Sequence, residues 1–524
     1  MAILAANPAS QAQEATQESA EAAPRDVFLV QANPMLLQKI EQGPGLKSGR
    51  LLILLCEDRG RYSAMDPLDA PFLRRPQPIA SIAVTDLSAN MLVHVGDGIR
   101  GTYSTPRQFD QLNGDFQVRA VFDRGHSRSH NAPGNLVSQH KIISMRPGES
   151  QTFELELDAV IPEEPLPDMP NLKWIEVESP LLSAHAGGRV VHRAGVALPP
   201  EYNEPFAKRR FWPTIYVVPG FGSDHRSAEY YARLLADPVS RTILPRAVYV
   251  VLDPNAPLGH HGFVDSENNG PQRTALVEEF IPWLEKRFRL IGDPEARIIS
   301  GHSSGGWSSL WLQLNHPDVF GACFSSAPDP VSFAQFGSVN LYRDLNLFRD
   351  DQGQPRPALR TWLTPKDAHV QLTIADEVAM ERALSPDGTS GEQWDAWNAM
   401  YSSQDPATLL PRRSFDQTTG TIDPVVIERD WVPHDIALLA EKDWDRYGPI
   451  FQNRIRLVCG EQDSFYLERG VARLKEIVDA RRTPEGDGYI EIIKGADHDT
   501  IVPMSRERFY GEMREHLEEA LAED

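Results

Sequence analysis

The sequence predicts an α/β fold with a mostly parallel sheet, preceded by a β-sandwich domain. Over the carboxyl-terminal part of the chain, uniformly apolar runs of strand length alternate with helical patterns, which is typical of a parallel sheet covered on both faces. Between two of these runs, apolar residues recur at every fourth position from Leu276 to Phe288, as on the buried face of a helix. The strand-like runs are residues 190–198, 214–218, 247–252, 297–300, 320–324, 455–458 and 489–493.

The amino-terminal part of the chain has a different pattern. Residues 26–158 contain short apolar segments separated by Gly, Pro and Asn, and apolar and acidic residues alternate strictly at 153–158. Both features predict antiparallel strands, and we expect a β-sandwich domain over residues 26–158. Residues 159–170 are acidic and rich in proline, as in a stiff linker, so the α/β domain is expected at residues 171–524.

One connection between the strand-like runs is much longer than the others. Residues 331–452 are rich in Trp, Asp, Pro and Arg. A long excursion from a compact sheet is usually functional. We therefore predict that residues 331–452 form a partly helical cap inserted into the α/β domain.

The composition is that of a soluble globular protein. Of the 524 residues, 41% are hydrophobic and 24% are charged, and the mean hydropathy is -0.38. No apolar run is long enough to cross a bilayer. The net charge of -22 disfavours nucleic acid and anionic membrane surfaces as partners. Three cysteines in this arrangement indicate neither a disulfide framework nor a metal site, and we expect no cofactor.

The amino terminus leaves the compartment open. Residues 1–25 are rich in Ala, Gln, Glu and Ser and show no periodic apolar pattern, so this segment is predicted to be disordered. Residues 1–6 match the end of the apolar region of a secretory signal peptide, which would make the protein secreted or periplasmic. No basic residue precedes Arg25, however, and the apolar run is short. Without a signal peptide we expect a cytoplasmic protein.

A catalytic serine is predicted at Ser303. Residues 297–300 are strand-like, Gly301-His302-Ser303-Ser304-Gly305-Gly306 is a glycine-rich turn, and residues 307–314 are helical in pattern. In the α/β-hydrolase fold this arrangement carries the nucleophile, because small flanking residues let the backbone lift the serine Oγ clear of the sheet. The alternative is an ordinary glycine-rich loop.

The catalytic acid is predicted at Asp463. A serine hydroxyl needs a base to take its proton, and in this fold the acid and then the base follow the serine on loops after strands. Asp463 comes shortly after the strand-like run 455–458. Glu461 and Asp329 are the alternatives for the same role.

The base is predicted at His498, which follows the strand-like run 489–493. His434 and His516 compete for this role, but neither follows a predicted strand. The position of His498 after Asp463 also has the order that the fold requires.

Two loops are candidates for the oxyanion hole and for substrate binding. The amide of Ser304 follows the nucleophile, and the second donor is expected in the glycine-rich turn that contains Phe221 and Gly222, with Phe221 as first choice. The loop with His260 and His261 leaves the strand-like run that ends at residue 252. It either binds substrate or is held by its own hydrogen bonds.

The chain resembles the putative esterase family of α/β-hydrolases, which includes enterochelin, feruloyl and acetylxylan esterases, S-formylglutathione hydrolases and mycolyltransferases. The resemblance covers about residues 173–521 and implies Ser303, Asp463 and His498 as a triad, with the β-rich domain as an accessory module. It rests on Ala197-Leu198-Pro199-Pro200-Glu201-Tyr202, Pro219-Gly220-Phe221-Gly222, Glu279-Phe280-Ile281-Pro282, Gly301-His302-Ser303-Ser304-Gly305-Gly306, Gly460-Glu461-Gln462-Asp463 and Asp497-His498.

The resemblance implies hydrolysis of a carboxylic ester through an acyl-serine intermediate, on a small-molecule or polysaccharide ester. Pro219 stands where many members have histidine, and the insertion 331–452 is longer than in compact members. With the extra domain, this favours a bulky substrate such as a siderophore ester or an esterified polysaccharide. The alternatives are acyl transfer to a sugar or alcohol, and an inactive hydrolase fold whose β-sandwich binds carbohydrate.

Overall fold

The structure is a computed structural model that describes most of the chain. The described residues are 26–41, 47–58, 66–68, 77–105, 109–124, 130–364, 366–481 and 486–522. The segment 1–25, predicted to be disordered, lies outside the described residues.

The amino-terminal domain is one β-sheet wrapped around its own core. Its strands are β1 (Asp26–Ala32), β2 (Gly49–Glu57), β3 (Ile79–Val84), β4 (Val93–Gly96), β5 (Tyr103–Thr105), β6 (Gly114–Asp123), β7 (Leu136–Ser138), β8 (Lys141–Met145) and β9 (Gln151–Val160). Their order is β4-β1-β9-β7-β6-β2-β3-β5, and β8 pairs with β6. Only β1 and β9 pair in parallel among these described strands. The predicted sandwich would have two sheets, whereas hydrogen bonds join these strands into one.

Strand β2 is buried on both faces of this sheet. Leu51, Ile53 and Leu55 point into the core of the amino-terminal domain, whereas Leu52 and Leu54 lie on the opposite face, against the insertion. Successive side chains of a strand point to opposite faces. The uninterrupted apolar run in β2 is therefore explained by two buried faces.

The α/β domain is built on an eight-stranded sheet. Its strands are β10 (Leu172–Glu178), β11 (Val191–Ala197), β12 (Thr214–Val218), β13 (Val248–Leu252), β18 (Arg297–His302), β19 (Ala322–Ser326), β22 (Ile455–Gly460) and β23 (Tyr489–Ile493). The numbers in between belong to the two-residue strands β14 to β17 (Asn255–Ala256, Gly259–His260, Asp265–Ser266, Gly270–Pro271) and to the hairpin strands β20 (Pro357–Thr364) and β21 (Asp367–Thr373).

Most of the eight strands run in parallel. Their order is β10-β11-β13-β12-β18-β19-β22-β23. β10 pairs antiparallel with β11, and β11 with β13. Every pair from β13 onward is parallel. Because the carboxyl ends of parallel strands meet at one edge of a sheet, the residues that follow β18, β22 and β23 converge there.

Helices pack around this sheet, and β13 and β19 are buried along their whole length. The helices are α1 (Pro34–Glu41) in the amino-terminal domain and, after it, α2 (Pro180–Ala186), α3 (Ala228–Ala236), α4 (Gln272–Ala275), α5 (Ile281–Phe288), α6 (Ser304–Asn315), α7 (Ile374–Leu384), α8 (Gln393–Tyr401), α9 (Pro424–Val426), α10 (Ile436–Lys442), α11 (Trp444–Asn453), α12 (Glu468–Asp479) and α13 (Ile501–Ala522). Within the described ranges, no helix combines the length and apolarity that a membrane crossing requires.

The insertion 331–452 contains the hairpin β20–β21 and the helices α7 to α11. Its last two helices, α10 and α11, contact α12 and α6 of the α/β domain. The hairpin and α7 contact the amino-terminal domain through Leu359, Leu372 and Met380. The insertion therefore lies between the two domains as well as above the edge of the sheet that carries the candidate site.

Candidate active site

The turn between β18 and α6 holds Ser303 in a strained conformation. Its φ and ψ are 58° and -127°, a combination that residues other than glycine rarely adopt. The flanking glycines are sterically required. A Cβ on Gly301 would lie 2.1 Å from the carbonyl oxygen of Gly305, and a Cβ on Gly305 would lie 2.0 Å from that of Val218. The glycine-rich sequence thus allows the sharp turn that lifts Ser303 above the sheet.

The loop that follows β22 carries a buried carboxylate opposite the candidate base. We call residues 462–466 the acid loop. Asp463 has no exposed surface, and His498 is 7% exposed. His498 Nδ1 and Asp463 Oδ2 are 2.8 Å apart, while Asp463 Oδ1 accepts hydrogen bonds from the amides of Phe465 (2.9 Å) and Leu467 (3.4 Å). Asp463 therefore has a fixed orientation, and its partner nitrogen on His498 carries the proton.

The environment of His498 tunes its basicity. Burial by itself would lower the pKa of His498, but the charge of Asp463 and its hydrogen bond outweigh burial and raise the pKa above its usual value. With Nδ1 donating to Asp463, Nε2 is the nitrogen that accepts a proton. His498 and Ser303 both line the same cavity.

A second histidine, His302, lies against the first. The two ring centroids are 4.6 Å apart. Burial, and then the nearby His498, lower the pKa of His302 to about 3, so it stays neutral, and its Nδ1 lies 3.0 Å from Ser326 Oγ. His302 was not among the catalytic residues predicted from the sequence, although it directly precedes the predicted nucleophile. Its neutral ring packs on the base without adding charge.

The alternative acids are engaged elsewhere. Asp329 is buried, and its Oδ2 accepts hydrogen bonds from Ser304 Oγ (2.7 Å) and Trp397 Nε1 (3.2 Å). Burial raises the pKa of Asp329 to about 6. Glu461 is exposed and accepts a hydrogen bond from the Gly495 amide at 3.2 Å. The structure brings neither carboxylate into hydrogen-bonding contact with His498.

The alternative bases also lie apart from Ser303. His434 Nδ1 is 3.0 Å from the carbonyl oxygen of Asp430, inside the insertion. His516 is on α13, and its Nε2 lies 3.8 Å from Glu295 Oε2. Neither histidine lines the cavity that contains Ser303.

The candidate oxyanion loop follows β12. Phe221 lies on the cavity wall beside Ser303, whereas Gly222, with φ of 80°, does not. Ser304 is the first residue of α6 and turns its side chain away to Asp329. Amides in the first turn of a helix have no acceptor within the helix and carry the positive end of its dipole. The oxyanion-hole assignment of the Phe221 and Ser304 amides stays a prediction.

The structure does not bring the predicted substrate-binding pair, His260 and His261, to the cavity wall. His260 Nε2 lies 3.0 Å from the Pro219 carbonyl oxygen, and its Nδ1 accepts a hydrogen bond from the Gly262 amide at 3.2 Å. His261 is buried and accepts a hydrogen bond from the Phe263 amide. Main-chain groups thus engage both nitrogens of His260 and Nδ1 of His261, which favours the alternative in which this loop is held by its own hydrogen bonds. His260 also ties the loop to the oxyanion loop.

The site opens into a cavity of about 740 Å³ between the α/β domain and the insertion. Besides Asp329, its wall includes aromatic and acidic side chains from the insertion and from loops far apart along the chain, which were not predicted as site residues. They are Phe336, Trp362, Trp394, Trp397 and Phe465, with Glu377, Asp497 and Asp499. Among the described residues, no group of three His, Cys, Asp or Glu side chains is arranged to hold a metal ion.

Residues 191–499 match the family model Esterase, described as "Putative esterase". An uncharacterized protein, YbbA of Bacillus subtilis strain 168, is 20% identical over 224 residues, which cover 39% of this chain and 85% of that protein. Among solved structures, a ferulic acid esterase has a TM-score of 0.39 at 15% identity, covering 66% of this chain and 98% of its own. An S-formylglutathione hydrolase from Agrobacterium tumefaciens has a TM-score of 0.37 at 15% identity, covering 67% and 98%. Because the family model spans more than half of the chain, this protein belongs to the Esterase family of α/β-hydrolases and is a carboxylic ester hydrolase.

Proposed function

We propose that the protein cleaves a bulky carboxylic ester through an acyl-serine intermediate, with Ser303 as nucleophile, His498 as base and Asp463 as the acid that orients it. The observation that carries this proposal is the buried His498–Asp463 hydrogen bond of 2.8 Å, in a cavity that also contains the strained turn of Ser303. A nucleophile, a base and a group that orients the base are the parts that acyl transfer requires.

The acylation step begins when Ser303 Oγ attacks the ester carbonyl carbon. The hydroxyl proton passes to His498 Nε2, and the buried carboxylate of Asp463 stabilises the resulting imidazolium. The carbonyl oxygen becomes an oxyanion, which the amides of Phe221 and Ser304 stabilise in this proposal. His498 then gives its proton to the leaving alcohol oxygen as the C–O bond breaks, and the acyl group stays on Ser303.

In deacylation, water is the nucleophile and Ser303 is the leaving group. Water attacks the acyl carbon while His498 Nε2 takes one of its protons. The second tetrahedral intermediate breaks its bond to Ser303 Oγ, which receives the proton back from His498. The products are the free acid, the alcohol and the original enzyme.

The cavity supports a substrate with a large apolar or aromatic acyl group. Its volume of about 740 Å³ lies in the range of sites for ligands of drug size. Its wall has the carboxyl groups of Asp329, Asp497 and Asp499, and that of Glu377, whose pKa burial raises to about 7. The guanidinium of Arg360 is already paired with Glu468 at 2.7 Å. An uncharged or cationic ester is therefore favoured over an anionic one. A siderophore ester or an esterified polysaccharide without negative charge near the scissile bond fits these limits.

The proposal is tested with Ser303→Ala. We expect kcat on a p-nitrophenyl ester to fall by about 10⁴ to 10⁶ with the fold unchanged by circular dichroism, because a triad acts as a unit. We also expect a fluorophosphonate probe to label the wild type on Ser303 and to leave the variant unlabelled. Turnover close to wild type in Ser303→Ala would overturn the assignment.

The substrate class is tested separately. Wild-type kcat/KM is measured on siderophore esters, feruloylated and acetylated xylan, and paired p-nitrophenyl esters that differ only in a terminal carboxylate or methyl group. We expect the methyl member of each pair to react faster. A preference for the carboxylate member would contradict the argument from cavity charge and leave the triad assignment untouched.

A further inference from the structure

One strand of the insertion hydrogen-bonds three consecutive carbonyl groups of the acid loop. The main-chain amide of Arg360 in β20 donates to the Ser464 oxygen at 2.9 Å, and Arg360 Nε donates to the Asp463 oxygen at 2.9 Å. Trp362 Nε1 donates to the Gln462 oxygen at 2.7 Å. Strand β20 thus holds the main chain on both sides of the candidate catalytic acid.

Arg360 is itself immobilised. It is 8% exposed, its Nη2 donates to Glu468 Oε1 at 2.7 Å, and its guanidinium lies 4.1 Å from the centre of the Tyr466 ring. Tyr466 has a φ of 63°, a left-handed conformation that persists only where the surroundings enforce it. The acid loop therefore depends on the groups packed against it, and Arg360 contacts it through both its main chain and its side chain.

The hairpin also packs on the amino-terminal domain. Leu359 and Leu372 of the hairpin and Met380 of α7 share an apolar cluster with Leu52 and Leu54 of β2. Leu359 therefore contacts the amino-terminal domain, while its neighbour Arg360 bonds to the acid loop. The pairing of β20 with β21 is irregular between these two residues, so the link is carried by these contacts and not by regular strand alternation.

A second contact leads from the same cluster to the base. Phe465, in the acid loop, packs against the cluster and also meets the His498 ring edge to face, with 4.8 Å between ring centroids and 78° between planes. The apolar surface of the amino-terminal domain is therefore linked to both the candidate acid and the candidate base by groups in direct contact.

We propose that the amino-terminal β-domain braces the catalytic site through the hairpin β20–β21, and that Arg360 is the positioning residue that holds the acid loop. This inference rests on Asp463 being the catalytic acid. A displacement of the loop would lengthen the Asp463–His498 hydrogen bond and misorient the imidazole without removing any reacting group, and misplacement by about 1 Å from a distant change can cost about 10²-fold in rate.

The first test replaces Arg360 by methionine, which keeps an unbranched chain and removes the side-chain donors, and by lysine, which keeps the charge and one donor nitrogen. For Arg360→Met we expect kcat to fall by about 10- to 100-fold, with KM for a short p-nitrophenyl ester within about threefold of wild type. We expect Arg360→Lys to recover part of the loss. If Arg360→Met does not fold, Arg360→Lys provides the same measurements with a smaller expected change.

The pH profile distinguishes positioning from a general loss of structure. Asp463 raises the pKa of His498, so a weaker contact between them lowers that pKa and moves the acidic limb of kcat/KM to lower pH. Loss of the Arg360 charge alone would move the limb to higher pH, because a nearby cation disfavours the imidazolium. An acidic limb that moves down in Arg360→Met therefore reports on the Asp463–His498 contact.

The role of the amino-terminal domain is tested with a matched pair in β2 of the full-length protein. Leu54 faces the hairpin and Leu55 faces the core of the amino-terminal domain; they are 2% and 1% exposed, respectively. We expect both alanine variants to lower Tm. We expect only Leu54→Ala to lower kcat and to move the acidic limb down.

Two results would overturn the proposal that the amino-terminal domain braces the site. One is an equal loss of kcat in Leu54→Ala and Leu55→Ala. The other is an unchanged kcat and an unchanged acidic limb of kcat/KM in both Arg360→Met and Leu54→Ala. The two proposals fail in different ways. If Ser303→Ala or Asp463→Asn keeps full turnover, the proposed triad is wrong. If those two variants are inactive while the Arg360 and Leu54 variants behave as wild type, only the brace is wrong.

Discussion

Replacing Asp463 by asparagine tests the core of the site, because the structure determines how the new amide must orient. Asp463 Oδ1 accepts two main-chain amides, from Phe465 and Leu467, and Oδ2 accepts from His498 Nδ1. In Asp463→Asn the side-chain oxygen has to stay on the two amides. Turning the amide around would leave both of those buried donors unpaired, at a cost of about 2 to 6 kcal/mol.

The NH₂ group of the asparagine must therefore face His498. A donor opposite Nδ1 forces that nitrogen to become an acceptor, and the imidazole proton moves to Nε2. An Nε2 that carries the proton cannot take another one from Ser303. We expect kcat to fall by about 10⁴-fold, equal to about 5 kcal/mol of activation free energy.

The assay is kcat for a p-nitrophenyl ester, with circular dichroism and Tm to show that the fold is retained. Glu461→Gln is the matched control, since Glu461 is the exposed acid two positions earlier and should change kcat by less than about threefold. A folded Asp463→Asn enzyme with kcat within tenfold of wild type would refute the tautomer argument. So would a comparable loss in the control.

Two further predictions concern pH and the turn. The base must be neutral to act, and Asp463 raises the pKa of His498 above the usual histidine value. We therefore expect kcat/KM to fall as pH drops through a midpoint above that value, and this midpoint should move lower in Asp463→Asn. A profile with its midpoint below that of free histidine would contradict the assigned pairing. Gly305→Ala would place a Cβ 2.0 Å from the Val218 carbonyl oxygen, so we expect a lower Tm by thermal melt and loss of activity. The control is Gly511→Ala, on α13 with open space around it, which should leave Tm unchanged or slightly higher. Equal Tm values for these two variants would show that the turn tolerates a side chain.

The strand ends and the glycine-rich turn were predictable because their signals are local. The order of Ser303, Asp463 and His498 follows from which strand-like run precedes each residue, and the structure brings Asp463 and His498 into contact at the edge where those strands end. The glycines around Ser303 are explained by carbonyl groups that come too close for any side chain.

Other features depended on contacts between distant segments. From its topology, the loop of His260 and His261 was predicted either to bind substrate or to be held by its own hydrogen bonds, and the structure shows main-chain contacts at both rings. The β-rich domain was predicted as two sheets, because alternation along single strands does not reveal how the strands are joined. The apolar run in β2 reflects a second buried face of that strand, but the sequence does not show that the insertion is the segment that covers this face.

The amino-acid sequence by itself determined the turn at Ser303, the positions of the candidate acid and base after later strands, and the class of fold that presents them. These depend on backbone geometry and on the parallel order of strands, both of which are encoded in short segments. Only the tertiary structure decided the cavity wall, the roles of His302 and Asp329, and the support of Asp463 by Arg360. Those features arise where segments that are separate along the chain pack together, as Arg360 does with Asp463 across 103 positions, and burial and hydrogen bonding at such contacts depend on the whole fold.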